Sequence, residues 1–109
     1  MSITATASPG KSLITPGNHM LILIDHQSQM AFATHSIDAV ALRTNTAVVA
    51  NAAAGFGVPT IITSVAEKSF SGPIFDEIKE AFPGAEVTDR TTMNTWEDEN
   101  VIRRVNAAA

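Results

Sequence analysis

The chain has 109 residues, of which 45% are hydrophobic and 17% charged, which is one domain's worth of globular protein with a modest core. A formal charge of −4 and seven scattered Lys and Arg leave no basic footprint, so nucleic acid and anionic membrane are excluded as expected partners. The absence of cysteine excludes disulfides, thiolate metal sites and a cysteine nucleophile within these residues, and leaves the redox compartment open.

Residues 1–18, "MSITATASPGKSLITPGN", are rich in Ser, Thr, Pro and Gly and read as an irregular arm. They lack the basic and apolar regions of a secretion signal, and no later apolar run reaches the roughly 18 residues of a membrane span, so a soluble cytoplasmic protein is expected. "MLILID" is short and almost uniformly apolar, the pattern of a central strand buried on both faces. Ser36 and Asp38 are alternative caps for a helix through "IDAVALRTNTAVVANAAAGFG", with Ile37, Val40, Ala41, Thr44 and Val48 at helical spacing and Gly55 or Gly57 as the stop. Arg43 is its only charge. A helix apolar nearly all round is expected to face both its own sheet and another subunit.

"VPTIITS" is a β-branched run of strand length. "GPIFDEIKEAFPG" predicts a short amphipathic helix with Ile74, Ile78 and Phe82 inward and Pro83-Gly84 ending it. "AEVTDR" is a third, weaker strand. Thr95 to Asp98, "TWED", has the form of a capping box that would open a last helix bearing Val101, Ile102 and Val105 on one stripe. The alternation predicts an α/β fold with a parallel sheet, helices on its faces and right-handed connections. In that scheme a fourth strand is the next expected element, so the sequence reads as unfinished.

Ligands of open α/β sheets bind beyond the carboxyl ends of the strands. Those ends carry Asp25, His26 and Gln27, then Thr63 and Ser64, then Arg90 to Asn94. Asp25 is equally a loop carboxylate satisfied by backbone N–H groups or a general base beside a cation. Arg90 taken alone is a surface or structural arginine, partnered by Asp89 or Glu86. Gln27 by itself is a turn residue, and Trp96 is a core or interface residue that could also wall a pocket. His19, His26 and His35 lack metal-ligand spacing, and His26 reads as a lining or packing residue. The sequence contains neither GxGxxG, GxxxxGK[ST] nor GxSxG, which counts against nucleotide binding and serine hydrolysis.

"LILIDHQ" and "DRTTMNTWED" together resemble the first two motifs of the isochorismatase-like cysteine hydrolases: a hydrophobic strand ending in Asp-x-Gln, then a basic residue followed four and six places later by Ser or Asn and an aromatic. Arg90, Asn94 and Trp96 hold the places of the second motif. The resemblance runs from about His19 to Val105 and implies a Rossmann-like three-layer α/β/α domain, with residues 19–109 as its N-terminal part and about half of it. It implies a triad of Asp, a cation and Cys, with Asp25 as base and Arg90 as cation. Gln27, Ser64, Asn94 and Trp96 would be the substrate contacts, and the protein would be a homo-oligomer. The substrate would be a small molecule with an amide or related carbon–heteroatom bond. Arg90 stands where Lys is usual, and the family's nucleophilic Cys, which follows a fourth strand, is missing from this chain. Zinc-binding relatives carry an Asp-x-His pair after the second strand; "TSVAEKSF" has no His, so neither metal nor cofactor is expected. Two rival readings are a non-catalytic α/β ligand-binding or interaction module and an unrelated flavodoxin-like domain.

Overall fold

The computed structural model describes residues 13–108, and residues 1–12 of the expected arm lie outside it. Three parallel strands, β1 (Leu21–Ile24), β2 (Thr60–Val65) and β3 (Val87–Arg90), form one sheet in the order β1-β2-β3. Leu23 lies opposite Ile62, Ile62 opposite Val87 and Val65 opposite Arg90. Helices α1 (Ala39–Gly55) and α2 (Asp76–Ala81) make the two crossovers, and α3 (Glu99–Ala108) follows β3. The α/β fold and parallel sheet expected from the alternation are present. Among the described residues, no helix is long and apolar enough to cross a membrane.

Among the three described strands, the middle position belongs to β2. Residues Ile61 to Val65 are all buried, whereas β1 has one open edge and its last residue, Ile24, is 46% exposed. An apolar run reports that a strand is hydrophobic but not which neighbours it has, and only β2 has a partner on each side among the described residues.

Both crossover helices cover one sheet face. Leu23, Ile62, Ile74, Phe75 and Ile78 form the buried cluster, with Leu21, Leu42, Phe82 and Val87 packed against it. This realises the inward stripe expected for α2; each fully buried side chain of this size contributes about 1.5–3 kcal/mol. Arg43 of α1 ties the helices together: its Nε donates to both Glu77 carboxylate oxygens at 3.1 Å, and its guanidinium lies 5.1 Å from the Phe75 ring centroid. Burial pushes the Glu77 carboxyl up, but the Arg43 hydrogen bond and charge outweigh it and hold the group below its ordinary range.

Helix α1 begins at Asp38, whose Oδ1 accepts from the Val40 and Ala41 N–H groups at 3.0 Å, and stops where Gly57 adopts φ +67°. Its inward face is made of small residues, Thr46, Ala50 and Ala53, while Val40, Val48 and Val49 point outward. The second apolar face expected toward another subunit is therefore open on the described chain.

Strand alternation sends Val87 into the α1/α2 core and Thr88 and Arg90 to the opposite face. Helix α3 packs there: Val101 is fully buried, and Arg104 Nη1 donates to Thr88 Oγ1 at 2.7 Å and to the Glu86 carbonyl at 3.1 Å. The capping box expected at Thr95 does not form. Residues Thr95–Glu97 are a 3-10 turn capped by Asn94, whose Oδ1 accepts from Trp96 N–H at 3.0 Å. Asp98, extended at φ −93° and ψ 121°, caps α3 by accepting from Asn100 and Val101 N–H.

Because Asp38 alone of the two candidate caps engages the first turn of α1, Asp38→Ala is expected to destabilise the protein by about 1 kcal/mol and Ser36→Ala by less than about 0.5 kcal/mol, read from urea midpoints.

Candidate active site

Asp25 directly follows β1. Its N–H still donates to the Thr63 carbonyl at 3.1 Å, continuing the ladder, but its φ of +60° turns the chain out of the sheet. The left-handed region is unfavourable for most L-residues and better tolerated by Asp and Asn, whose short polar side chains bond locally. The bend leaves the side chain 21% exposed at the mouth of the sheet.

Arg90 ends β3 and is fully buried. It reaches past β2 to grip Asp25 with both arms, Nη1 to Oδ1 at 2.5 Å and Nη2 to Oδ2 at 2.6 Å. Nη1 also meets Thr63 Oγ1 at 3.1 Å and the Ser64 carbonyl at 3.2 Å, and Nη2 donates to the Met93 carbonyl at 2.9 Å. Nε is buried without a partner. The hydrogen bonds and charge of Asp25 outweigh the cost of burial and raise the guanidinium further above its ordinary pKa, with Asp98 and Asp89 adding to this. A planar fork of donors suits this junction of three strand ends, where a Lys ammonium would act as a point charge.

The other rim residues fare differently. Gln27 is buried, and its amide is wholly committed to backbone: Oε1 accepts from Val65 N–H at 2.9 Å, and Nε2 donates to the carbonyls of Val65 at 3.0 Å and Gly72 at 2.7 Å. Its side chain thus pairs with Val65 as a strand residue would, and its backbone bridges Ile74. Ser64 points to the α1/α2 face, where its hydroxyl donates to Asp89 Oδ1 at 2.8 Å; only its carbonyl meets Arg90. Asn94 and Trp96 are exposed in the loop after β3, Asn94 serving as the cap described above. His26 packs edge-on against Phe75, with ring centroids 5.9 Å apart. Burial holds its imidazole below the ordinary histidine pKa against the opposing charge of Asp25.

Two groups that touch Arg90 lie at the strand ends named above but had been given no role of their own: the Thr63 hydroxyl and the Met93 carbonyl. Thr63 was recognisable as a strand-end hydroxyl, but its side of the sheet follows from the Val65–Arg90 register. Met93 contributes through its backbone, which no side-chain pattern announces. Among the described residues, no group of three or more His, Asp or Glu is placed to hold a metal ion. The arrangement supplies a partly open carboxylate able to take a proton and a fixed cation beside it, with no thiol in the chain.

No family model matches the chain. It is 28% identical over 88 residues to the probable hydrolase YcaC of Escherichia coli (strain K12), a match covering 80% of this chain and 42% of that protein. The crystal structure of the Escherichia coli YcaC gene product, described as an octameric hydrolase of unknown specificity, aligns with a TM-score of 0.84 at 26% identity, over 93% of this chain and 50% of that one. YcaC from Pseudomonas aeruginosa, solved with hexane-2,5-diol and covalent acrylamide, aligns equally well, with a TM-score of 0.84 at 26% identity over the same shares. The chain is YcaC-like in sequence and in fold. It spans about half the length of the YcaC structures it matches. The isochorismatase-like fold implied by its motifs is thus found at half the YcaC chain length.

The buried Gln27 amide makes a direct test of the YcaC-like frame around the site. Gln27→Leu strands the Val65 N–H and two carbonyls, so a loss of about 2–5 kcal/mol is expected in urea unfolding. A loss below about 0.5 kcal/mol would contradict the geometry.

Proposed function

We propose that these residues form the acid–base half of a cysteine hydrolase that cleaves a small amide or related carbon–heteroatom bond. The observation that carries this reading is the two-pronged Asp25–Arg90 pair at the carboxyl ends of the strands. Asp25 takes the proton of a thiol, the thiolate attacks the carbonyl carbon, and Asp25 returns the proton to the departing amine. Water then releases the acid from the thioester. Arg90 keeps its proton throughout, so its part is to orient Asp25 and to stabilise negative charge.

The thiol comes from outside these 109 residues. Support for its position lies in the layering: α1 and α2 cover one face and α3 the other. A right-handed crossover through α3 leads to the open edge of β1, and a residue at the end of a strand there would stand beside Asp25. The covalent acrylamide in Pseudomonas aeruginosa YcaC is what an activated nucleophile gives with an electron-poor alkene. The octameric state of Escherichia coli YcaC and the outward apolar residues Val40, Val48 and Val49 favour a homo-oligomer.

Acrylamide labelling of the protein expressed from its gene, followed by intact mass and peptide mapping, tests the reading. One adduct is expected on a cysteine, forming at least about a hundredfold more slowly in Asp25→Asn, the low end of what a positioned base contributes. Absence of a reactive thiol, or an unchanged labelling rate in the variant, would leave a non-catalytic module as the better reading.

A further inference from the structure

The loop from Ala66 to Gly72, between β2 and α2, is tied to both chain segments that carry the Asp25–Arg90 pair. At its start the Ala66 N–H donates to the Arg90 carbonyl at 3.0 Å and the Glu67 N–H donates to Asp89 Oδ1 at 3.0 Å, which fastens it to the end of β3. At its end the Gly72 carbonyl accepts from Gln27 Nε2 at 2.7 Å, two residues on from Asp25. Beyond Gly72 the chain runs antiparallel to the segment after β1. Gln27 bridges Ile74, the Ser28 N–H donates to the Pro73 carbonyl at 2.8 Å, and the Phe75 N–H donates to the His26 carbonyl at 2.8 Å. Ser69 closes the loop on itself: its N–H and hydroxyl donate to the Ala66 carbonyl at 2.9 and 2.7 Å, and its carbonyl accepts from the Gly72 N–H at 3.3 Å.

Gly72 is the point of this loop that tolerates a side chain least. Its φ is +74°, and a Cβ there would lie 2.8 Å from Ser28 Oγ and 3.2 Å from Gln29 Cγ. A residue with a side chain has to turn the backbone out of the left-handed region or displace the Ser28–Gln29 segment. Either motion pulls on the carbonyl that holds Gln27, and so on the turn that presents Asp25. Gly84, in the turn after α2, has a similar φ of +77° but nothing within 4 Å of an added Cβ.

We propose that Gly72 is a positioning residue for the Asp25–Arg90 pair, acting through the Ala66–Gly72 loop that fastens the turn after β1 to the end of β3. The chemical consequence of this role rests on the hydrolase reading, whereas its geometric consequence does not.

Gly72→Ala and Gly84→Ala both force alanine into a left-handed backbone, so they share that strain and differ in what the new methyl meets. Amide hydrogen exchange followed by NMR compares the Asp25 and Val65 N–H groups, which donate to the Thr63 carbonyl and Gln27 Oε1, with the Leu23 N–H inside β1. In Gly72→Ala, exchange at Asp25 and Val65 is expected to accelerate at least about tenfold more than at Leu23, whereas in Gly84→Ala the three change together. A uniform change in Gly72→Ala, or the same selective change in Gly84→Ala, would overturn the proposal. Should Gly72→Ala not fold, Asp89→Ala cuts the loop's other anchor at an exposed side chain; selective acceleration at Ala66 and Asp25 is then expected, and its absence would overturn the proposal. Acrylamide labelling of the same variants, expressed from the gene, supplies the chemical readout. Labelling is expected to be at least about tenfold slower in Gly72→Ala and within about twofold of the parent protein in Gly84→Ala. An unchanged rate in a folded Gly72→Ala would overturn the proposal and leave the hydrolase reading standing. Absence of any labelled thiol would remove the hydrolase reading, and the exchange rates would still decide the role of Gly72.

Discussion

The grip of Arg90 on Asp25 is the constraint on which the described site depends. It joins the carboxyl ends of the first and third strands past the second, and it holds the carboxylate where the chain turns left-handed out of the sheet. Buried ion pairs of this kind add little net stability compared with a packed apolar substitute, yet breaking one leaves a desolvated charge and costs about 3–5 kcal/mol. Its value is therefore geometric. The pair fixes where a carboxylate and a cation stand relative to each other, and the Thr63 hydroxyl and the Ser64 and Met93 carbonyls fix the guanidinium in turn.

Gln27 completes this frame from below. By pairing its amide with Val65 and Gly72 it fastens the segment after β1 to the end of β2 and to the loop before α2. The Asp-x-Gln motif thus divides its labour: the carboxylate faces the cation, and the amide, two residues on, is consumed in holding the turn that presents it. Loss of either would move the other, because both hang from the same short segment between Ile24 and Ser28.

Much of the architecture was legible because periodicity and burial agree for α2 and β2. Ile74 and Ile78 face inward as their spacing requires, and the β-branched "TIITS" run is buried from Ile61 onward. Where the pattern was degenerate, the reading failed for physical reasons. The alanine-rich α1 is apolar on every face, so its period could not show that small Thr46, Ala50 and Ala53 turn inward while the valines turn out. Asp25 and Arg90 were named from strand ends and motif and lie paired in the structure, but that Thr63 rather than Ser64 meets the guanidinium through its side chain follows only from the register, which places Thr63 and Arg90 on one side and Ser64 with Asp89 on the other. The Thr95 box lost to Asn94 and Asp98, each of which takes the first N–H groups of its own turn.

A double-mutant cycle on Asp25→Asn and Arg90→Met, with stability measured by urea unfolding, tests the central pair most directly. Each single change leaves one member of a buried pair uncompensated, whereas the double change removes both charges. The two effects are therefore expected to fall short of additivity by at least about 1 kcal/mol, the double variant being more stable than the sum of the singles allows. Additivity within about 0.5 kcal/mol would show that Asp25 and Arg90 do not hold each other, and would contradict the account.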